Sequence, residues 1–339
     1  VGRPAIPSNL LEALRLWIYA GAPKTGVIDG TAALLDTKLP PVEPLTISPL
    51  VAPKPNEGLQ LQLPTWPIKA GSEREVCFAS YFDIRDQVPA EFKDPTGERA
   101  YVNIEQLRQD PQSHHLILSK SAVDVKDIHH QAFGAWTCAG GDQAGETCEP
   151  TELASCGAGH CTTTPKDSFA CIGYGPPVLG FGRTPIAGAQ KAQDYDELPK
   201  GVYRTVPLRG ILMWNSHAFN VTTKDHMMNG RINMHFAKDR KYRQRGFGLN
   251  ASGIFKPKTP PFQREEICST AKLPKGAHLI ALSSHTHKRG ERFTIFHPDG
   301  SLLYENLIYN DPLRKKFNPP LVFDSDDVAK RRLKYCAVY

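Results

Sequence analysis

Along most of the chain, apolar residues come in short runs or alternate with polar ones, and Gly, Pro, Asn and Asp lie between the runs. The runs at 76–82, 115–118, 210–214, 278–282 and 292–296 predict strands. His297-Pro298-Asp299-Gly300 is a turn signal between two of the later strand candidates. The beginning of the chain reads differently. After Pro7-Ser8, residues Leu10, Leu11, Leu14 and Trp17 fall at helical spacing, and Gly21 supplies a stop, which predicts one capped helix. Many short strands without intervening helices predict an all-β fold, with two antiparallel β-sandwich (jelly-roll-like) domains and a short N-terminal helix.

Composition divides the chain further. Residues 1–36 form the helical segment, and residues 37–71, with eight prolines from Pro40 to Pro67, read as a Pro-rich extended linker. Residues 72–240 and 241–339 then carry one sandwich each, with the low-apolar stretch 237–262 at the boundary. Five of the eight cysteines lie between Cys138 and Cys171, in a stretch with little apolar content of its own. Covalent bridges are a natural way to hold such a segment, so the expected compartment is oxidising, periplasmic or secreted. Spacing leaves the connectivity open.

Charge and hydropathy exclude two classes of partner. The net charge is +6 over 339 residues, and the positive residues are scattered. The denser basic run 238–245 reads as a solvated connector, and no nucleic-acid recognition motif accompanies it. No apolar run is long enough to cross a bilayer as a helix. Asn220-Val221-Thr222 and Asn250-Ala251-Ser252 are glycosylation acceptors if the host is a eukaryotic secretory cell.

The histidines carry the candidate chemistry. His285 and His287 follow the apolar run AHLIAL, and residues i and i+2 of a strand share a face, so the pair is suited to clamp a metal. His114 and His115 are sequence neighbours, which point to opposite faces of a regular strand; both reach one metal only at a strand end or a bulge. His217 stands alone after the apolar run Ile211–Trp214. The doublet His129-His130 reads as structural. Cys156, His160 and Cys161 match no common zinc spacing. A G-x-S-x-G elbow, a P-loop and a dinucleotide fingerprint are all missing from the sequence.

Taken in order from about Glu73 onward, these elements resemble the copper type II, ascorbate-dependent monooxygenases, the family of peptidylglycine alpha-hydroxylating monooxygenase and dopamine beta-monooxygenase. Four features carry the likeness: the doublet at 114–115, the lone His217 followed by a strand ending near His235, His285-Thr286-His287 with Gly290 soon after, and Arg332-Leu333-Lys334-Tyr335-Cys336. The resemblance implies two copper ions. His114, His115 and His217 would hold the electron-transfer copper, and His285 and His287 the oxygen-binding, catalytic one, whose third ligand, a methionine, is expected beyond residue 339. It implies hydroxylation of a C–H bond of a small-molecule substrate with dioxygen and a reductant such as ascorbate. It also implies that Cys268 and Cys336 pair with cysteines beyond Tyr339. Ser283 stands where the peptide-processing members have an arginine, and Leu116 where a methionine often follows the doublet. Residues 3–23 are similar to the last helix of bacterial c-type cytochrome domains. That likeness implies a haem domain upstream as an electron donor, although the haem-binding CxxCH is missing here.

Two other readings stay open. His285-Thr286-His287 with Glu291 also resembles a cupin metal motif, though Leu279 occupies the expected glycine and only His297 follows. The second is a non-catalytic copper-binding β-sandwich module.

Overall fold

The computed structural model describes residues 6–36, 49–176, 183–244, 260, 262–284, 286, 289–308 and 312–339. The chain divides into two compact units, residues 1–46 and 47–339. In the first, Ser8–Tyr19 forms helix α1 and Ala32–Leu35 a single helical turn, α2. Gly21, at φ +83°, takes the left-handed conformation that lets α1 end. Asn9 Nδ2 donates to the Leu34 carbonyl at 2.8 Å, and the Trp17 indole N–H to the Pro23 carbonyl at 2.9 Å, so the returning segment is tied to the helix.

The second unit is built of strands. In chain order the first group is β1 (Gly58–Ile68), β2 (Ser72–Asp83), β3 (Arg99–Gln109), β4 (Ser113–Ser121), β5 (Trp136–Ala139), β6 (His160–Thr163), β7 (Lys166–Asp167), β8 (Arg183–Ala189), β9 (Gln193–Glu197), β10 (Val202–Pro207), β11 (Arg209–Asn220), β12 (His226–Phe236) and β13 (Tyr242–Arg243). The second group is β14 (Glu266–Lys272), β15 (Ala277–Leu282), β16 (Arg292–Phe296), β17 (Leu302–Asn306), β18 (Lys315–Phe323) and β19 (Arg332–Val338). One sheet runs β1-β12-β3-β10-β13, with β9 also on β3; a second runs β5-β6-β2-β11-β4-β8, with β7 also on β2. Pairing in both is antiparallel except for the short β10–β13 contact. The second group forms a β14-β19-β16-β17 sheet and a β15-β18 pair and shares no sheet with the first group among the described residues. The fold is thus all-β with one substantial helix, as the alternating pattern predicts.

Burial follows the alternation. A single core fills the space between the first two sheets, with Leu61, Leu63, Trp66, Ile232 and Met234 from one and Phe78, Trp214, Leu116 and Leu118 from the other. Face-to-face sheets with interdigitating side chains are the expected way for two-period strands to bury their apolar positions. The second group has its own smaller core around Ile295, Leu303, Tyr304 and Leu333.

Three expectations change. Residues 58–68 lie in the stretch read as linker, yet they pair with β12 as an edge strand. Pro64 and Pro67 hide this strand in the sequence. They are tolerated because an edge strand has one side without ladder partners, and the register shifts between Leu63 and Trp66. Cys268 and Cys336 do not need partners beyond residue 339. They face each other across β14 and β19 and are joined to one another. Asn220 is no glycosylation acceptor: it is fully buried, and its amide donates to the Lys224 carbonyl at 2.8 Å. Asn250 lies outside the described residues.

Candidate metal centre

Strands β2, β11 and β4 lie side by side, and alternate residues on each face away from the core. Register places Glu75 opposite His217, Glu73 opposite Phe219, and Cys77 opposite Asn215. On the other side His217 pairs with His115, and Ile117 with Asn215. After His217–His115 the ladder slips: Ala218 pairs with Ser113, so His114 is an extra residue with no partner of its own. This is a β-bulge, in which two residues of one strand oppose one of its neighbour. It removes the parity conflict of the doublet, and adjacent histidines reach the same site as a third from the next strand.

The result is a cluster in which one ring nitrogen from each of His114, His115 and His217 lies within 4.8 Å of the others. The ring centroids are 5.0 to 5.5 Å apart. His115 is buried, and His114 and His217 are half-buried. Phe219 packs against both of the latter, with centroids 5.6 Å from His114 and 4.8 Å from His217. Burial first, and the neighbouring His115 and His217 next, hold the His114 imidazole below the usual histidine range. That favours the neutral ring, which is the form that ligates a metal.

Hydrogen bonds around the cluster fix which nitrogens are free. The Asn215 amide nitrogen faces the Glu75 carboxylate at 2.9 Å, and a carboxylate can only accept, so Asn215 turns its oxygen to His115. His115 Nε2 is 3.0 Å from that oxygen and must donate to it. In the neutral ring, Nδ1 is then the nitrogen left with a lone pair. His217 Nε2 likewise faces Glu73 Oε1 at 2.9 Å and carries the proton of that contact. His114 Nδ1 lies 3.3 Å from His115 Nδ1. Two nitrogens at that distance need a shared proton or a cation between them. Carboxylate and amide partners on the far ring nitrogen are also the usual outer neighbours of metal-bound imidazole. The donor set of three imidazole nitrogens, without thiolate, fits copper, zinc, nickel or iron.

Glu73, Glu75 and Asn215 are functional candidates that sequence reasoning passed over. Their signal was an i, i+2 pair of carboxylates on β2 and a polar residue two before His217. The remaining histidines go elsewhere. His129 is exposed, with Nε2 3.1 Å from a Glu149 carboxylate oxygen, and His130 Nδ1 accepts from the Ala132 amide at 3.1 Å. The zinc alternative lacks free thiolates, since Cys156 is bonded to Cys138 and Cys161 to Cys148. The third bridge of this region joins Cys77 to Cys171. His285 and His287 lie outside the described residues. Their neighbour Ser284 is buried, with its hydroxyl 3.1 Å from the Tyr304 hydroxyl.

No protein-family model matches the chain, and no curated protein does. Among solved structures, the crystal structure of PBSX exported protein XepA is 8% identical, with 86% of this chain and 90% of that chain covered, at a TM-score of 0.21. A likeness at that level carries no argument about this protein.

Proposed function

We propose that the protein is a copper-dependent monooxygenase that hydroxylates a C–H bond of a small substrate with dioxygen and a reductant such as ascorbate. The observation that carries the proposal is the bulge at His114, which gathers three imidazoles on one face of a sheet. The sequence resemblance selects copper from the metals this donor set suits, and assigns His285 and His287 to a second, oxygen-binding ion. Four disulfides fit the oxidising compartment such a protein would work in.

Copper held by His114, His115 and His217 would supply a one-electron store at this face of the sheet. The chain's own part is positional. Asn215 and Glu73 accept the Nε2 protons of His115 and His217 and so hold the two rings in place. Phe219 covers two of the rings and limits water on that side.

The test is to load the chain with copper and count the ions by metal analysis and electron paramagnetic resonance, for the parent, His115→Ala and His285→Ala. Two copper ions in the parent, with each variant losing a different one, support the proposal. Copper uptake without reductant-driven oxygen consumption points to the non-catalytic copper module. One iron or manganese ion, lost in His285→Ala and kept in His115→Ala, replaces the proposal with the cupin reading.

A further inference from the structure

The outer face of β2 and β11 holds two things end to end: the histidine cluster, and a cap formed by residues 123–176. The cap packs Phe133, Trp136, Tyr174 and its cysteines onto Ala79, Ile211 and Met213. The junction between the two is the Cys77–Cys171 bridge, whose residues are 0% and 1% exposed. Asn215 lies directly across from Cys77 in the β2–β11 register, and its Nδ2 is 3.6 Å from Cys77 Sγ. The same nitrogen donates to Glu75, and the same side chain orients His115. The chain leading to Cys171 is stitched to β2 at this point. Val76 pairs with Asp167, Cys77 with Lys166, and the Ser168 amide donates to the Glu75 carbonyl at 3.2 Å.

We infer that the Cys77–Cys171 bridge is a positioning element of the three-histidine centre, acting on His115 through Asn215 and Glu75. The inference rests on the metal reading of that centre. The Asn215 side chain is held with its nitrogen against a carboxylate and a sulfur, and its oxygen against His115. Once the sulfur is gone and residues 166–171 can lift from β2, the Asn215 amide loses one of its two Nδ2 contacts, and the Glu75 stretch loses its bond from Ser168, so the amide oxygen is held less firmly against His115. A looser partner on the far ring nitrogen lets the His115 ring leave the geometry it shares with His114 and His217. The other two bridges of the cap do not have this leverage. Cys138–Cys156 and Cys148–Cys161 span 18 and 13 residues within the cap itself.

The experiment measures copper affinity by chelator competition, and the copper hyperfine pattern by electron paramagnetic resonance, in the full chain. Cys77→Ala with Cys171→Ala is expected to weaken binding at this centre about tenfold and shift its hyperfine pattern. Cys138→Ala with Cys156→Ala is expected to leave both unchanged, although it also costs stability. Asn215→Ala is expected to weaken binding similarly, and adding the bridge removal to it to weaken binding no further, because both act through one side chain. A second pair, Cys77→Val with Cys171→Ala, fills the bridge volume while keeping a β-branched residue away from position 171, where φ is +56°. Circular dichroism confirms that it is folded before its affinity is read. Unchanged affinity in a folded bridge-free chain, or losses that add, overturns the coupling alone. A folded parent that takes up no copper overturns the metal reading and the coupling with it.

Discussion

The inner and outer faces of strands β2, β11 and β4 use the same three stretches of backbone, residue by alternate residue, to opposite ends. Phe78, Trp214, Leu116 and Leu118 point inward and are at most 1% exposed. Glu75, Asn215, His115 and His217 point outward and are defined by particular partners at particular atoms. The inner face is specified by apolar area and volume, for which many residues would serve. The outer face is specified by proton direction and pairing, for which few would. One sheet therefore separates the work of holding the fold from the work of holding the site.

If that separation is right, the inner face should dominate stability. Trp214→Ala is expected to cost about 3–5 kcal/mol, seen as a large fall in denaturant midpoint, because it opens a cavity in a fully buried position. It also removes the indole bond to Ser80 Oγ, which measures 2.8 Å. A loss under about 1 kcal/mol would break the comparison, since it would place the core elsewhere.

The cap on the outer face should contribute less, and in a pH-dependent way. Burial pushes the Tyr174 hydroxyl up to about 12, against an ordinary value of 10.0. The folded chain thus keeps a proton that the unfolded chain loses between about pH 10 and 12. Stability from this group is complete below pH 10 and falls across that window, by about 2–3 kcal/mol at most. Chemical denaturation at pH 8 and pH 11.5 checks this: Tyr174→Phe should show a smaller alkaline loss than the parent. Equal losses would mean that the phenol is not held by the cap.

The metal side should contribute least to stability and most to binding. Glu73→Gln retains an acceptor for His217 Nε2 but removes the charge. Copper affinity is expected to fall by less than about tenfold. The unfolding free energy should move by no more than about 0.5 kcal/mol, because Glu73 is exposed. A stability loss as large as that of Trp214→Ala would abolish the division between the faces.

How much of this was legible in sequence follows the same division. The inner face is visible as alternation, and the all-β fold with its early helix follows from it. Strand β1 was not, because Pro64 and Pro67 argue against a strand unless it is known to sit at an edge. The histidine set was named from sequence, with a strand end or a bulge as what the doublet needs; that it is a bulge, with the slip of one residue at His114, depends on how β4 pairs with β11. Glu73, Glu75 and Asn215 are common polar residues whose role exists only across strands. Cysteine pairing was equally hidden, since Cys77 and Cys171 are 94 residues apart.

The bulge at His114 has a consequence for how such a centre can arise and be lost. Remove that one residue and the ladder between β4 and β11 closes into regular pairing, with His115 still opposite His217 and Leu116 and Leu118 still in the core. The core positions of the inner face keep their places, and the cluster loses one imidazole of three. Insertion of a single codon into a plain two-histidine strand pair is the reverse event. The third imidazole is thus a unit of heredity separate from the sandwich that carries it, open to gain and loss by a single codon.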